Sequence, residues 1–231
     1  MNMKRHIIGL ASVLLLLGGC SKVADRNFPS DQSGIPPGGR TQCIATVRQQ
    51  ADGTLFLQVD EKLRVTPLRD TQTYLFSHPY TRPYRLACEL IVYSTRREDG
   101  SYDGAIVWDL PLQEGSVVAG EATIPDEGVD ILDAWSTSLE DAFLTLTYAA
   151  WWGKTPVQHS LQLVTGINPD DPYEVRLVHS ANGDSPDEKA EAYIAFDLNT
   201  LPPTEGSTLT LKWTTLAGEP AQRTFRFRSR E

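Results

Sequence analysis

Leu144-Thr145-Leu146-Thr147-Tyr148 alternates large apolar with small polar side chains, and Val157, His159, Leu161 and Leu163 repeat the rule against Gln158, Ser160 and Gln162. Successive side chains of a strand point to opposite faces, so each run places one face on a core and the other toward solvent. Tyr173, Val175, Leu177 and His179 continue the pattern. So do Ala192, Ile194, Phe196 and Leu198, then Leu209, Leu211 and Trp213, and finally Phe225 and Phe227 with Arg226 and Arg228 facing outward. No apolar period of 3.6 is sustained after residue 20, so helix should be scarce and the chain all-β. Short strands divided by turns over residues 129–231 are the signature of a β-sandwich.

Upstream, Pro125-Asp126-Glu127-Gly128 interrupts the strand pattern and marks a domain boundary, giving a first domain over residues 41–124. Cys43, Ala45 and Val47 share one face; Ala51-Asp52-Gly53 reads as a turn; Leu55, Leu57 and Val59 follow on one side of a second strand, making a hairpin. Strand candidates at 86–93 and 105–110 flank the turn signal Glu98-Asp99-Gly100. Together these suit a small five-stranded barrel.

The N-terminus carries an address. Lys4 and Arg5 precede an apolar run from Ile7 to Leu17, and Leu17-Gly18-Gly19-Cys20 reads as a lipoprotein cleavage site. The run is too short for a spanning helix, which needs about 20 apolar residues. Residues 1–19 are therefore expected to be a signal peptide, with Cys20 lipidated and the chain held durably at a membrane by its acyl groups. Residues 20–40, rich in Ser, Pro and Gly, have the composition of a flexible linker. With Lys4 and Arg5 gone, Lys+Arg falls from 21 to 19 against 30 Asp+Glu, a net charge near −11. That balance disfavours nucleic acid as a partner, because phosphate backbones are held by Lys and Arg.

Beyond Cys20 the remaining cysteines are Cys43 and Cys88. Each shares the parity of inward-facing neighbours, Cys88 with Leu86 and Leu90, so they are either two buried thiols or the halves of one disulfide.

Several stretches now form a recognisable set. They are Asp130-Ile131-Leu132-Asp133-Ala134-Trp135, Phe143-Leu144-Thr145-Leu146-Thr147-Tyr148, His159-Ser160-Leu161-Gln162-Leu163-Val164 and Val175-Arg176-Leu177-Val178-His179-Ser180-Ala181-Asn182-Gly183-Asp184-Ser185. The chain resembles the NigD-like lipoproteins of Bacteroidota. The resemblance is most specific over residues 130–231, and over 41–123 it extends to the family's OB-type barrel. It implies an N-terminal OB-like domain, a C-terminal antiparallel immunoglobulin-like sandwich and an outer-membrane lipoprotein of the cell envelope, with an immunity role associated with bacteriocin operons. It brings no catalytic residues. The acidic Asp25 and Asp31 are too scattered to signal surface export, so the membrane face stays open.

Among candidate sites, His179 as base, Ser180 or Ser185 as nucleophile and Asp184 as orienting acid would be a hydrolytic set. His179 however has core parity, Ser180 should face the opposite way, and Asn182-Gly183 is explained by a tight turn. Asn182, Asp184, Asp187 and Glu188 offer oxygen ligands at a spacing that matches no calcium loop. No enzyme, metal or cofactor is expected from these residues. Trp151 and Trp152, adjacent on a strand, cannot both face the core, so either the chain turns at Gly153 and both rings cover the sandwich end, or at least one of them is a candidate contact for a protein or glycan partner. Trp108, Trp135 and Trp213 read as core. The function expected is non-enzymatic binding at the envelope, with bacteriocin immunity as the narrower alternative and hydrolysis at His179 as the other.

Overall fold

The computed structural model describes residues 40–134, 136–155, 157–203, 206–228 and 230. The signal peptide, Cys20, nearly all of the linker and Trp135 lie outside the described residues.

Five strands close into a barrel: β1 (Arg40–Gln49), β2 (Leu55–Gln58), β3 (Arg64–Pro67), β4 (Tyr84–Arg96) and β5 (Tyr102–Pro111), in the order β1-β2-β3-β5-β4. One helical turn, α1 (Tyr74–Ser77), sits between β3 and β4. The hairpin at Ala51-Asp52-Gly53 forms, with Gly53 at a φ of 89°. Cys43, Ala45, Val47, Leu57, Val65, Leu86, Cys88 and Leu90 fill the interior. Asp109 fixes α1 by accepting from the backbone N–H groups of Tyr74 and Leu75, both at 2.8 Å. Trp108 was expected in the core; it is half-buried outside the barrel's core cluster, its indole N–H donating to Glu89 Oε2 at 3.0 Å. An extra residue in β5 shifts the register between Glu89 and Leu90, and the turned face carries Trp108 outward.

The second body is a sandwich. Its strands are β6 (Ser116–Ala119), β7 (Asp130–Ile131), β8 (Ser138–Glu140), β9 (Phe143–Trp152), β10 (Ser160–Thr165), β11 (Glu174–Ser180), β12 (Glu188–Asp197), β13 (Thr208–Thr214) and β14 (Pro220–Arg226). One sheet has the order β14-β13-β11-β10-β6 and the other β12-β9-β7, with β8 also on β9. Leu144, Leu146, Leu163, Leu177, Ile194, Phe196 and Leu211 meet between the sheets. Trp213 packs against this core half-buried.

Three features differ from the expected arrangement. The sandwich contains two parallel pairs, β6 with β10 and β11 with β13, among its antiparallel ones. Residues 113–119 belong to the sandwich, although the Pro125 signal placed them in the barrel domain 41–124. Gln113 and Gly115 exchange backbone hydrogen bonds with Ala195 of β12 at 2.9 Å, and β6 then joins the opposite sheet. Gly115 is needed there, since a Cβ would stand 2.1 Å from the Phe196 ring. Finally, β9 is buried on both faces and not half-buried. Leu144, Leu146 and Tyr148 face the core. Thr145 meets the barrel, and Thr147 is covered by Ser136 and Thr137.

The barrel and sandwich share a polar seam. Arg85 of β4, 1 % exposed, donates to Thr46 Oγ1 at 2.8 Å, to Thr145 Oγ1 at 3.2 Å and to the Ile44 carbonyl at 3.4 Å. Burial drops its guanidinium to about 10. Arg48 reaches Asp141 at 3.4 Å and Arg228 reaches Glu61 at 2.9 Å. Asp141 and Ala142 form the two-residue turn between β8 and β9 with φ of 51° and 59°, the left-handed pair that matches the twist of a hairpin.

Candidate functional site

The ends of β9, β10 and β11 meet at one end of the sandwich. β11 delivers His179, the residue before β10 delivers His159, β9 finishes with Trp151 and Trp152, and the turn after β11 delivers Asp184. Asn182 and Gly183 take φ of 55° and 79°, which is the tight turn expected of that dipeptide and is what returns Asp184 to the β10 end.

A chain of contacts runs through these residues. His179 Nδ1 lies 2.6 Å from the Gly128 carbonyl, His179 Nε2 lies 2.9 Å from His159 Nδ1, and His159 Nε2 lies 3.4 Å from Asp184 Oδ2. A carbonyl can only accept, so His179 Nδ1 carries a proton. In the neutral ring Nε2 then accepts from His159 Nδ1–H, and a neutral His159 turns a lone pair toward the Asp184 carboxylate. The 3.4 Å spacing suits two acceptors, and one added proton on the pair would turn it into a charged hydrogen bond. Burial pushes both imidazoles below the ordinary range, while Asp184 pulls His159 back up and the Gly128 carbonyl does the same for His179.

Asp184 is also a loop anchor. Its Oδ2 accepts the N–H of Gly153 at 3.0 Å and of Val157 at 3.3 Å, and its Oδ1 the N–H of Ser185 at 2.9 Å; these bonds, led by Gly153, hold its carboxyl below the usual range. Asp187 Oδ2 accepts from Lys154 N–H and Ser185 Oγ–H. The acidic loop therefore spends its oxygens on protein donors. Among the described residues no group of three or more His, Cys, Asp or Glu is placed to hold a metal ion.

Of the hydrolytic set, His179 and Asp184 do not touch; His159 stands between them. Ser180 is 2 % exposed and its Oγ accepts the Asn182 N–H, while Ser185 Oγ is turned to Asp187. No serine is presented to an imidazole in this set. His159 is the hub, yet its strand parity in the sequence marks it only as a core residue. The one signal was a second histidine on an inward face.

The two tryptophans divide. Trp152 stacks on His159 with ring centroids 3.8 Å apart and planes 6° apart, and its indole N–H donates to the Ala190 carbonyl at 3.3 Å. Trp151 is 44 % exposed, and Val157, across the Asp184-anchored loop, is 43 % exposed. Beside this end lies a polar cleft of about 270 Å³ walled by Gln113, Glu114, Gln162, Asn182 and the edge of His159. Gln162 is tied to Thr123 and Asn182 to Ser160, so several of its polar groups already have protein partners.

Comparison with known proteins gives the fold a context. A model of the NigD-like C-terminal beta sandwich domain matches residues 113–227, beginning where the structure begins the sandwich. A NigD-like immunity protein from Bacteroides caccae superposes with a TM-score of 0.56 at 17 % identity, covering 79 % of this chain and 91 % of that one. A protein from Bacteroides fragilis, provisionally described as a lipoprotein, gives 0.53 at 10 % identity over 83 % and 100 %. A third, from Parabacteroides distasonis and provisionally described as toxin-related, gives 0.62 at 19 % identity over 81 % and 93 %. At these identities the likeness is one of fold. No curated protein matches the sequence.

Proposed function

Because the chain belongs to the NigD-like family through residues 113–227, and two of its solved neighbours are described as a NigD-like immunity protein and, provisionally, as a lipoprotein, we propose a non-enzymatic role as a lipid-anchored envelope protein. It acts by binding a protein or glycan partner, tethered to the outer membrane through Cys20 and the linker. The observation that carries the binding site is Trp151, an exposed indole one residue before the end of β9, whose neighbour Trp152 is stacked on the buried His159. A large aromatic on a rigid footing contributes contact area with little ordering entropy. The acidic charge of the mature chain is against nucleic acid as the partner.

Two experiments test this. Cross-linking and glycan-array binding of the purified protein should each be compared with Trp151→Ala. A partner retained by the parent and lost by the variant supports the site; equal binding by both removes Trp151 from it. Protease treatment of intact cells, with a periplasmic control, decides which membrane face to search.

Bacteriocin immunity is the second reading, favoured by the likeness to the NigD-like immunity protein. Deletion should then sensitise cells to a toxin, and unchanged sensitivity across co-resident bacteriocins would remove it.

A further inference from the structure

Cys43 of β1 and Cys88 of β4 stand directly opposite one another where the barrel closes. They sit within eight consecutive paired positions, from Arg40 with Ile91 to Val47 with Tyr84. Their Sγ atoms are 3.7 Å apart, both are free thiols, and their exposures are 4 % and 0 %. Directly opposed residues of an antiparallel pair have Cα atoms about 4.5–5.5 Å apart, inside the span of about 4.4–6.8 Å that a disulfide bridges. Neither strand has to slip. Side-chain rotation with a small approach brings the sulfurs to the bonded distance of about 2.05 Å.

We propose that Cys43 and Cys88 form an intrachain disulfide that staples β1 to β4 as the barrel closes. The proposal rests on the envelope reading, because disulfides persist in oxidising compartments. The oxidant is the disulfide of an envelope dithiol oxidase or, in vitro, oxidised glutathione. One cysteine thiolate attacks an oxidant sulfur, forming a mixed disulfide and releasing the oxidant's other sulfur as a thiol. The second cysteine, deprotonated, attacks its neighbour's sulfur in that mixed disulfide and expels the remaining oxidant thiolate. The protein loses two electrons and two protons, and the oxidant ends as two thiols.

Burial sets the timing. In the closed barrel the hydrogen bond to Cys43 and the loss of solvent push the Cys88 thiol up, so thiolate is scarce and neither sulfur is within reach of an oxidant. Exchange therefore precedes the seating of β4 on β1. The two cysteines are 45 positions apart, and the loop between them carries β2, β3 and α1.

The test is the intact mass of the full-length protein extracted from cell envelopes, denatured in iodoacetamide without reductant. The expected result is a mass short by two hydrogens with no carbamidomethyl group, and two such groups after reduction. Two groups without reduction, in protein that fractionates with the envelope, overturn the proposal. Should the protein fractionate elsewhere, the envelope reading fails on that result alone. The full chain bearing Cys20→Ser, reduced, unfolded and refolded in oxidised glutathione, then decides the proposal. A monomer with an internal disulfide supports it, whereas glutathione adducts or disulfide-linked dimers overturn it.

Discussion

Arg85 donates to Thr145 across the boundary between the two domains, with the Arg85 side chain wholly buried and a hydroxyl, not a carboxylate, as its partner. A guanidinium shut away from water is costly, and here each of its three nitrogens has a partner, in Thr145, Thr46 and the Ile44 carbonyl. The barrel and sandwich are thereby held in one register by directional bonds. Arg85→Ala should cost about 3 kcal/mol, from unpaired hydroxyls and the void left behind. Arg85→Met should recover much of that loss, because an apolar chain of similar length fills the space. Denaturant titration of the three proteins checks the order.

The histidine pair makes stability depend on pH with a definite sign. Both imidazoles are pushed below 6.5 by burial, so near that pH the unfolded chain binds protons that the folded chain refuses. Stability from the pair is complete above about pH 6.5 and is lost as the pH falls below it. Asp184 opposes this at His159, as do Glu127 at both rings and Asp126 at His179. Asp184→Asn should steepen the acid loss. Melting temperatures between pH 8 and 5 read both effects, and a flat parent profile would contradict the assignment.

Trp151 and Trp152 should behave differently on truncation. Trp151→Ala should change stability by less than about 0.5 kcal/mol, as for an exposed side chain. Trp152→Ala removes the stack on His159 and a hydrogen bond, and should cost about 2 kcal/mol. Thermal melts of the two variants distinguish them.

Gly115→Ala should be among the most damaging single-methyl insertions, costing about 2 kcal/mol or more, because the new Cβ meets the Phe196 ring within the core. Gly120→Ala should cost about 1 kcal/mol. Its Cβ enters open space, and only the φ of 84° is strained. Equal losses at the two positions would refute the crowding argument.

The parts of the fold readable in the sequence are those encoded by neighbours in the chain. The β1–β2 hairpin has its glycine turn, and β9 to β14 carry period-two patterns long enough to be seen. What escaped depends on distant partners. β3 and β6 have four residues each; β3 becomes a strand between antiparallel β2 and parallel β5, and β6 by parallel pairing with β10. Pro125-Asp126-Glu127-Gly128 runs between β6 and β7 inside the sandwich and marks no domain boundary, since the sandwich is already under way at β6. At the candidate site, Trp151, Trp152, His179 and Asp184 were visible one by one. Their assembly was not, because His159 becomes a bridge only after strands β10 and β11 are side by side.

The placement of β6 has a consequence for how this protein can be divided. A fragment cut at residue 129 would carry every other strand of its sheet yet leave Gln162, Leu163, Val164 and Thr165 of β10 without the neighbour that Ser116, Val117, Val118 and Ala119 supply. Bared strand borders recruit other chains, so such a piece should self-associate. A piece beginning at 112 would carry its own cover.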